Sequence, residues 1–438
     1  MKYLIYILIG IFHLSLGAQA MNFNSLPPKS IDSLMVDKKV DSIITNGIKN
    51  HSFPGAQVLV AHKGAVIFHQ AYGFHTYDSI QPVALNDIYD LASVTKILGP
   101  LPALMKLVDE GKLDLDAPFS TYWKPWKRIK DKRDLTLREI LAHQSGLKPY
   151  IVFLNEVLKK NGKLKKRFIT SNKRKGFAKE AYQGIYVKNR FNRKMYRMIN
   201  RSMVSEDKKY VYSGLTFLIF PELISQLTGQ SFESYIEDTF YQPIGANTLG
   251  FLHMSKNFPN AIVPTEMDTL YRHGLTKAWV HDENASLLGG ISGNAGLFGT
   301  AQDLAKMMQF FVQFGSFDRK QLVSEEVVKE FTTVQFPDNE NRRGLGFDKP
   351  LLNNKEFALE DAYPASGVSP QSFGHSGFTG TFVWADPENQ LVYIFLSNRV
   401  YPTRDNRNLY TLNIRPAVQQ VFYKALEQSQ SSDALERP

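Results

Sequence analysis

The hydrophobic pattern of the chain differs between its two ends and its middle. Near the N-terminus, an apolar stripe at helical spacing over residues 34–48 is followed by two β-rich runs, residues 57–60 and 66–68. Near the C-terminus, two similar runs, residues 381–384 and 391–395, flank a turn sequence and precede a last helical pattern. Helical patterns dominate between these ends. The pattern predicts an α/β (α+β) fold, with a central antiparallel sheet built from both chain ends, flanking helices and a helical subdomain inserted in the middle.

The extreme N-terminus has the features of a secretory signal. Lys2 precedes an almost purely apolar run at residues 4–12, and residues 18–20 end in an A-x-A cleavage pattern. We expect cleavage after Ala20 and export to a bacterial periplasm; an uncleaved anchor or a buried helix remains the alternative. The resulting division of the chain is a signal peptide (1–20) and one domain (21–438), with an α/β part (about 21–92 and 300–438), a helical part (about 93–299) and a basic insertion (159–209).

The positive charge of the chain is concentrated in that insertion. The formal net charge is +10, yet residues 159–209 contain 18 basic and 3 acidic residues, so the rest of the chain is net acidic. The charge therefore does not indicate a nucleic-acid-binding protein. We expect a surface insertion near the mouth of a pocket, exposed to anionic wall polymer or a membrane surface; a merely solvated lobe is the alternative.

Composition excludes several kinds of chemistry. The chain has no cysteine, which removes disulfides, thiolate nucleophiles and iron–sulfur clusters. Its ten histidines include no helical pair and no cluster with metal-ligand spacing, and no phosphate-binding glycine motif is present. We expect neither a cofactor nor a metal.

The strongest chemical signal is Ser93-Val94-Thr95-Lys96. Positions i and i+3 share a helix face, so the lysine amine lies beside a serine hydroxyl, which needs a neighbouring base to act as a nucleophile. The N-terminus of the same helix offers backbone N–H groups to an oxyanion. A capping serine beside a solvated lysine is the ordinary alternative.

Two later segments add candidate groups. Tyr212-Ser213-Gly214 precedes an apolar helix and places a phenol at its mouth, although a core tyrosine is the common meaning. The segment from His375 to Thr381 enters a strand and contains two glycines, which allow close backbone approach to a ligand, or simply form a turn.

Together the three segments resemble the motifs of the penicillin-recognising serine hydrolases, S-x-x-K, Y-x-N and K-T-G or its H-x-G variant, in the class C β-lactamase-like branch. The resemblance extends from about residue 54 to the last helix and is poorest over residues 159–209. The stretch Val280-His281-Asp282-Glu283-Asn284-Ala285 and Gly289-Gly290 are similar to the penicillin-binding protein 4B subgroup.

The resemblance implies catalytic roles. Ser93 would be the nucleophile, Lys96 and Tyr212 would share proton transfer, and the backbone N–H groups of Ser93 and Phe378 would form the oxyanion hole. The implied enzyme hydrolyses D-alanyl cell-wall peptides or small esters and amides through an acyl-enzyme. A catalytically silent protein that binds wall peptides, or a partner through the basic insertion, is the other possibility.

The resemblance also implies the substrate contacts. His375 would stand where the family usually has lysine and face a substrate carboxylate, while Ser376, Gly377 and Phe378 would line the strand edge. Gly214 replaces the asparagine of the family and removes a carboxamide from the substrate site. We therefore expect a weak β-lactamase, and, with an ordinary histidine pKa near 6.5, weaker attraction for carboxylate substrates above about pH 7.

Overall fold

The computed structural model describes residues 33–256 and 258–435. The predicted signal peptide, residues 1–20, lies outside these ranges. The strands are β1 (Gly55–His62), β2 (Ala65–Gly73), β3 (Tyr89–Asp90), β4 (Ile169–Thr170), β5 (Lys179–Tyr182), β6 (Ile185–Val187), β7 (Glu266–Asp268), β8 (Gly274–Thr276), β9 (Phe298–Gly299), β10 (Ser316–Phe317), β11 (Lys320–Gln321), β12 (Phe373–Ser376), β13 (Phe382–Asp386) and β14 (Leu391–Ser397).

The helices surround the strands on both sides. They are α1 (Ser33–Lys49), α2 (Thr95–Leu98), α3 (Pro100–Asp109), α4 (Leu137–Leu141), α5 (Leu154–Val157), α6 (Phe191–Arg201), α7 (Phe220–Thr228), α8 (Phe232–Ile236), α9 (Gln242–Ile244), α10 (Glu283–Leu287), α11 (Ala301–Val312), α12 (Glu325–Thr332), α13 (Asn408–Thr411) and α14 (Ile414–Leu435). Among the described residues, no helix combines the length and the apolar character that a membrane crossing requires.

The central sheet has five antiparallel strands in the order β12-β13-β14-β1-β2. The first strand of the chain pairs with the last one, with Val58 opposite Phe395. The prediction of one antiparallel sheet made from both chain ends is thus confirmed.

Both faces of this sheet are buried, because successive side chains of a strand point to opposite faces. In β1, Val58 and Val60 belong to the apolar cluster that includes residues of α1 and α14. Leu59 and Ala61 belong to the cluster formed by α11 and the helical middle of the chain. Every residue of β1 is therefore buried, and a helical layer covers each face of the sheet.

The basic insertion is folded and packs on the helical part. It contains the small sheet β4-β6-β5 and α6, in which Phe191, Met195 and Ile199 recur every four residues and are buried. The indole N–H groups of Trp123 and Trp126 both donate to Oδ1 of Asn200, at 3.2 and 2.9 Å. The segment thus presents an apolar face to the core and its basic residues mainly to solvent.

The helix that carries the S-x-x-K motif is short. A single 3₁₀ turn, Ala92–Val94, leads into α2, which ends at Leu98, and α3 restarts at Pro100 after Gly99. The interruption follows from Gly99 and Pro100, because proline is tolerated only in the first turn of a helix.

Candidate active site

Ser93 and Lys96 are brought into direct contact by the turn on which they lie. Nζ of Lys96 donates to Oγ of Ser93 at 2.9 Å, and it also donates to the carbonyl oxygen of Asn294 at 3.1 Å. The lysine side chain is buried, whereas Ser93 is partly exposed. A partly exposed hydroxyl with a buried amine against it is the arrangement that activates a serine nucleophile.

The surroundings of the Lys96 amine are aromatic. Nζ lies 5.4 Å from the ring centre of Tyr212 and 5.6 Å from that of Phe217. Within residues 33–256 and 258–435, no carboxylate forms an ion pair with Lys96. No acidic side chain therefore competes with Ser93 for this amine.

The loop that carries Asn294 is itself fixed by hydrogen bonds. Nδ2 of Asn294 donates to Oδ1 of Asp282 at 3.1 Å, and the hydroxyl of Ser292 donates to Oδ1 of Asn294 at 2.7 Å. Both ends of the Asn294 carboxamide are thus hydrogen-bonded, which fixes the residue whose carbonyl accepts from Lys96. The sequence carries no signal for this contact, because a backbone carbonyl is available at every position.

The residue before Ser93 has an unusual backbone. Ala92 has a φ of +45°, in the left-handed region that costs a non-glycine residue about 1–3 kcal/mol. Its N–H donates to Oδ1 of Asp90 at 2.8 Å, which stabilises this conformation. The unusual conformation thus lies directly before the turn that carries Ser93.

Tyr212 and His375, from distant parts of the chain, form a second pair. The Tyr212 hydroxyl lies 3.4 Å from Nε2 of His375. Nδ1 of the same ring lies 2.7 Å from the carbonyl oxygen of Ser376, which can only accept, so Nδ1 carries the ring hydrogen. Nε2 is then the acceptor, and Tyr212 donates to it.

The charge state of His375 differs from the sequence expectation. Burial, reinforced by the positive charge of Arg343, lowers the pKa of His375 from 6.5 to about 3. The histidine is therefore neutral at every pH near 7, and the expected loss of a positive charge around pH 6.5 is wrong. Composition could not reveal this shift in pKa, since it arises from tertiary burial and from a guanidinium distant in sequence.

Two further residues contact Tyr212. The ring of His143 lies 4.5 Å from the tyrosine ring, and its Nδ1 accepts from the N–H of Ser213 at 3.1 Å. The guanidinium of Arg343 lies 5.5 Å from the ring centre of Tyr212 and pairs with Asp348 at 3.1 Å. These contacts fix the ring between an imidazole and a cation; neither residue belongs to a motif that the sequence analysis singled out as catalytic.

The strand-entry segment, residues 375–381, packs directly on the residues that precede Ser93. The hydroxyl of Thr379 donates to the carbonyl of Asp90 at 2.8 Å, and that of Thr381 to the carbonyl of Leu91 at 3.1 Å. A Cβ added to Gly377 would lie 2.6 Å from the Leu91 carbonyl oxygen, so this approach requires glycine. The segment that contains Phe378 is in this way packed on the residues that directly precede Ser93.

Gly214 leaves an open space next to Lys96. Its N–H donates to the carbonyl of Pro149 at 3.1 Å, and a Cβ built on it would meet only Cε of Lys96, at 4.0 Å. A Cβ at this position would therefore displace no neighbour. The structure thus places Ser93, Lys96, Tyr212, His375 and Gly214 around one location, with Ser376, Gly377 and Phe378 along its edge.

Two cavities of the described part of the chain are lined by other residues than the eight candidates. One of about 300 Å³ is lined by Tyr210, by residues 340–342 and by Leu351, Leu352 and Phe357. A larger one of about 790 Å³ lies between the basic insertion, α7 and the loop at residues 288–291, and none of the eight candidate residues lines it. Among the described residues, no group of three histidine, aspartate or glutamate side chains could hold a metal ion.

Comparison with known proteins places the chain among related sequences and folds. The family model described as "Beta-lactamase" matches residues 40–415. A protein of Escherichia coli O157:H7 named "Putative D-alanyl-D-alanine carboxypeptidase" is 30% identical over 390 residues, which are 82% of this chain and 82% of that protein.

Solved structures share the fold at low identity. The hydrolase EstCE1, described as having promiscuous acyltransferase activity, matches with a TM-score of 0.63 and 17% identity over 88% of this chain and 99% of its own. A penicillin-binding protein homologue from Caulobacter crescentus matches with a TM-score of 0.60 and 15% identity over 92% of this chain and 100% of its own.

Proposed function

Because the chain belongs to the beta-lactamase family and is a serine hydrolase, we propose that Ser93 is its nucleophile and forms an acyl-enzyme. The observation that carries this proposal is the 2.9 Å contact between Nζ of Lys96 and Oγ of Ser93. A serine hydroxyl is a weak nucleophile without such a base.

In the proposed reaction, Lys96 accepts the Ser93 proton as Oγ attacks the substrate carbonyl. The tetrahedral oxyanion is stabilised by the N–H groups of Ser93 and Phe378, whose segments are packed together through Thr379 and Thr381. Collapse of the intermediate expels the leaving group, which takes the hydrogen that the Tyr212 hydroxyl shares with Nε2 of His375 in the resting protein, and Lys96 returns a proton to the phenolate. Water then attacks the acyl carbonyl and gives a proton to Lys96. The bond between the acyl carbon and Oγ breaks, the acid leaves, and Lys96 returns the proton to Oγ of Ser93.

The geometry favours small uncharged esters and amides as substrates. His375 is a neutral acceptor already engaged by Tyr212, so it offers no positive charge to a substrate carboxylate. Gly214 offers no carboxamide to a substrate amide. An ester needs neither contact, because attack requires the nucleophile, its base and the oxyanion hole. We therefore infer slow turnover of penicillins.

A second candidate activity is D,D-carboxypeptidase cleavage of D-alanyl cell-wall peptides. It is favoured by the relative of that name, which matches over 82% of both chains. The apolar N-terminal run and its A-x-A pattern fit this role, since a peptidoglycan enzyme must reach the periplasm. N-terminal sequencing of protein recovered from a periplasmic fraction would test export, with Met21 expected as the first residue.

Covalent labelling tests the nucleophile and separates an enzyme from a silent binding protein. The protein would be treated with a fluorophosphonate or a fluorescent penicillin and examined by intact-protein mass spectrometry. We expect one adduct, on Ser93, that is absent in Ser93→Ala and present in the matched control Ser225→Ala, which removes a helix hydroxyl that donates to Pro221. An adduct that persists in folded Ser93→Ala would reject the assignment, and the absence of any adduct would favour the silent protein.

A further inference from the structure

Asp90 connects three segments that meet at the candidate site. Its buried carboxylate accepts from the N–H of Ala92 at 2.8 Å through Oδ1 and from the N–H of His281 at 2.6 Å through Oδ2. Its carbonyl accepts from the hydroxyl of Thr379 at 2.8 Å. Asp90, three positions before Ser93, is thus hydrogen-bonded to three segments: the residues just before Ser93, the chain at His281 and the segment at residues 375–381.

The ring of His281 is held in place by a buried carboxylate, that of Glu266. Its Nε2 lies 2.8 Å from Oε2 of Glu266, and Glu266 also accepts from Nη2 of Arg404 at 2.6 Å. Burial alone would raise the pKa of Glu266, but His281 and Arg404 bring it down to about 2, so this carboxylate is ionised. The anchored imidazole stacks on the ring of Phe378, with centres 5.8 Å apart and planes 30° apart.

A buried arginine contacts the same phenylalanine. The guanidinium of Arg399 lies 4.4 Å from the ring centre of Phe378, and its Nη1 donates to the carbonyls of Arg404 and Asn406 at 3.2 and 2.6 Å. Arg399 is fully buried, while 43% of Phe378 is exposed. The partly exposed Phe378 ring is therefore held between the guanidinium of Arg399 and the imidazole of His281.

We propose that Asp90 and His281 are positioning residues that fix the two halves of the oxyanion hole relative to each other. Asp90 sets the backbone that leads into Ser93, and His281 sets the ring, and hence the main chain, of Phe378. The hydrogen bond from His281 to Asp90 joins the two halves. This inference rests on the proposed function of Ser93.

The physical reason is that the two N–H donors come from opposite ends of the chain. Each must lie about 2.7–3.1 Å from the oxyanion, and a misplacement of about 1 Å can cost a hundredfold in rate. The ground-state substrate does not require that spacing. Loss of the hydrogen bonds that Asp90 accepts should therefore lower kcat and the affinity for a tetrahedral adduct, while KM changes little.

Asp90→Asn tests this with a side chain of the same shape. The amide of asparagine would face one of the two N–H donors, so one bond is lost. We expect kcat for p-nitrophenyl butyrate to fall at least tenfold with KM within twofold, and the affinity for phenylboronic acid, which forms a tetrahedral adduct with a serine, to fall in parallel. Asp386→Asn is the matched control, because Asp386 is a buried carboxylate that accepts from the N–H groups of Ser369 and Asn389.

Thr379 gives an independent test should Asp90→Asn fail to fold. Thr379→Val removes the hydroxyl that bonds to Asp90, and Thr379→Ser keeps it, so the first should show the same loss of kcat and the second should restore it. Thr332→Val is the control, since the buried Thr332 hydroxyl donates to a carbonyl within α12.

Two results would overturn the assignment. Unchanged kcat in folded Asp90→Asn and Thr379→Val, with Ser93 still labelled, would show that the hydrogen bonds to Asp90 do not position the N–H groups of the oxyanion hole. An equal loss of kcat in Asp386→Asn or Thr332→Val would show a general effect of stability. A wild-type protein that neither hydrolyses the ester nor is labelled would instead reject the proposed function, and this inference with it.

Discussion

Tyr212 donates its hydroxyl hydrogen to Nε2 of His375, 3.4 Å away, because Nδ1 of that ring is committed to the carbonyl of Ser376. The ring is neutral, since burial and the neighbouring guanidinium of Arg343 bring its pKa to about 3. In this protein the H-x-G histidine therefore orients the phenol that faces Lys96. It does not supply the positive charge that a lysine would bring to the same place.

The first prediction concerns pH. From pH 5 to 8 the ratio of kcat/KM for an N-acyl-D-alanyl thioglycolate to that for its methyl ester should be constant, because His375 does not titrate there. The two compounds share the acyl group and the scissile bond and differ only in a carboxylate. A ratio that falls severalfold as pH rises through 6.5 would show that His375 is charged in the acidic part of this range.

The same pKa predicts how stability depends on pH. The folded protein keeps His375 neutral down to about pH 3, while the unfolded chain binds a proton near pH 6.5, so the unfolded state binds more protons between these values. The free energy of unfolding should decrease as pH falls from about 6.5 to 3. His375→Gln should make that decrease shallower in urea titrations; an unchanged slope would contradict the assignment.

The third prediction concerns the base. Lys96→Ala should slow acylation of Ser93 at least about a hundredfold, within the usual range for general base catalysis. Lys96→Arg keeps a positive charge but not a usable base, and it should be impaired to a similar degree. Stopped-flow acylation by p-nitrophenyl butyrate measures both rates. Near-normal acylation in Lys96→Arg would mean that the amine acts only through its charge.

The sequence predicted the features that local patterns encode. The strands at both chain ends formed readable β-rich runs, and their pairing followed from their positions, as Val58 opposite Phe395 shows. The contacts among Asp90, His281 and Phe378 could not be predicted, because they join segments far apart through backbone groups and ring stacking. The pKa near 6.5 that we expected for His375 was wrong for the same reason, because burial is a property of the folded chain.

The fourth prediction concerns the basic insertion. We hypothesise that its exposed cations bind anionic wall polymer or lipid headgroups, because residues 173–175 form an exposed Lys-Arg-Lys stretch. Retention on anionic vesicles or sacculi should fall steeply between low and physiological salt, where exposed charges are screened beyond about 8 Å. Replacing these three residues by glutamine should reduce retention at low salt and leave ester hydrolysis unchanged. Retention that does not depend on salt would contradict the hypothesis.

The last prediction concerns Gly214. A Cβ at this position would meet only Cε of Lys96, at 4.0 Å, and we expect the carboxamide of an asparagine there to hydrogen-bond a substrate amide. One such bond contributes about 0.5–1.5 kcal/mol, or up to roughly tenfold in transition-state binding. Gly214→Asn should therefore raise kcat/KM for penicillins by severalfold and that for p-nitrophenyl butyrate much less. Gly214→Ala, which fills the Cβ position without a carboxamide, is the control. An equal gain for both substrates, or the same gain in Gly214→Ala, would show that the missing carboxamide does not limit penicillin turnover in the way that we propose.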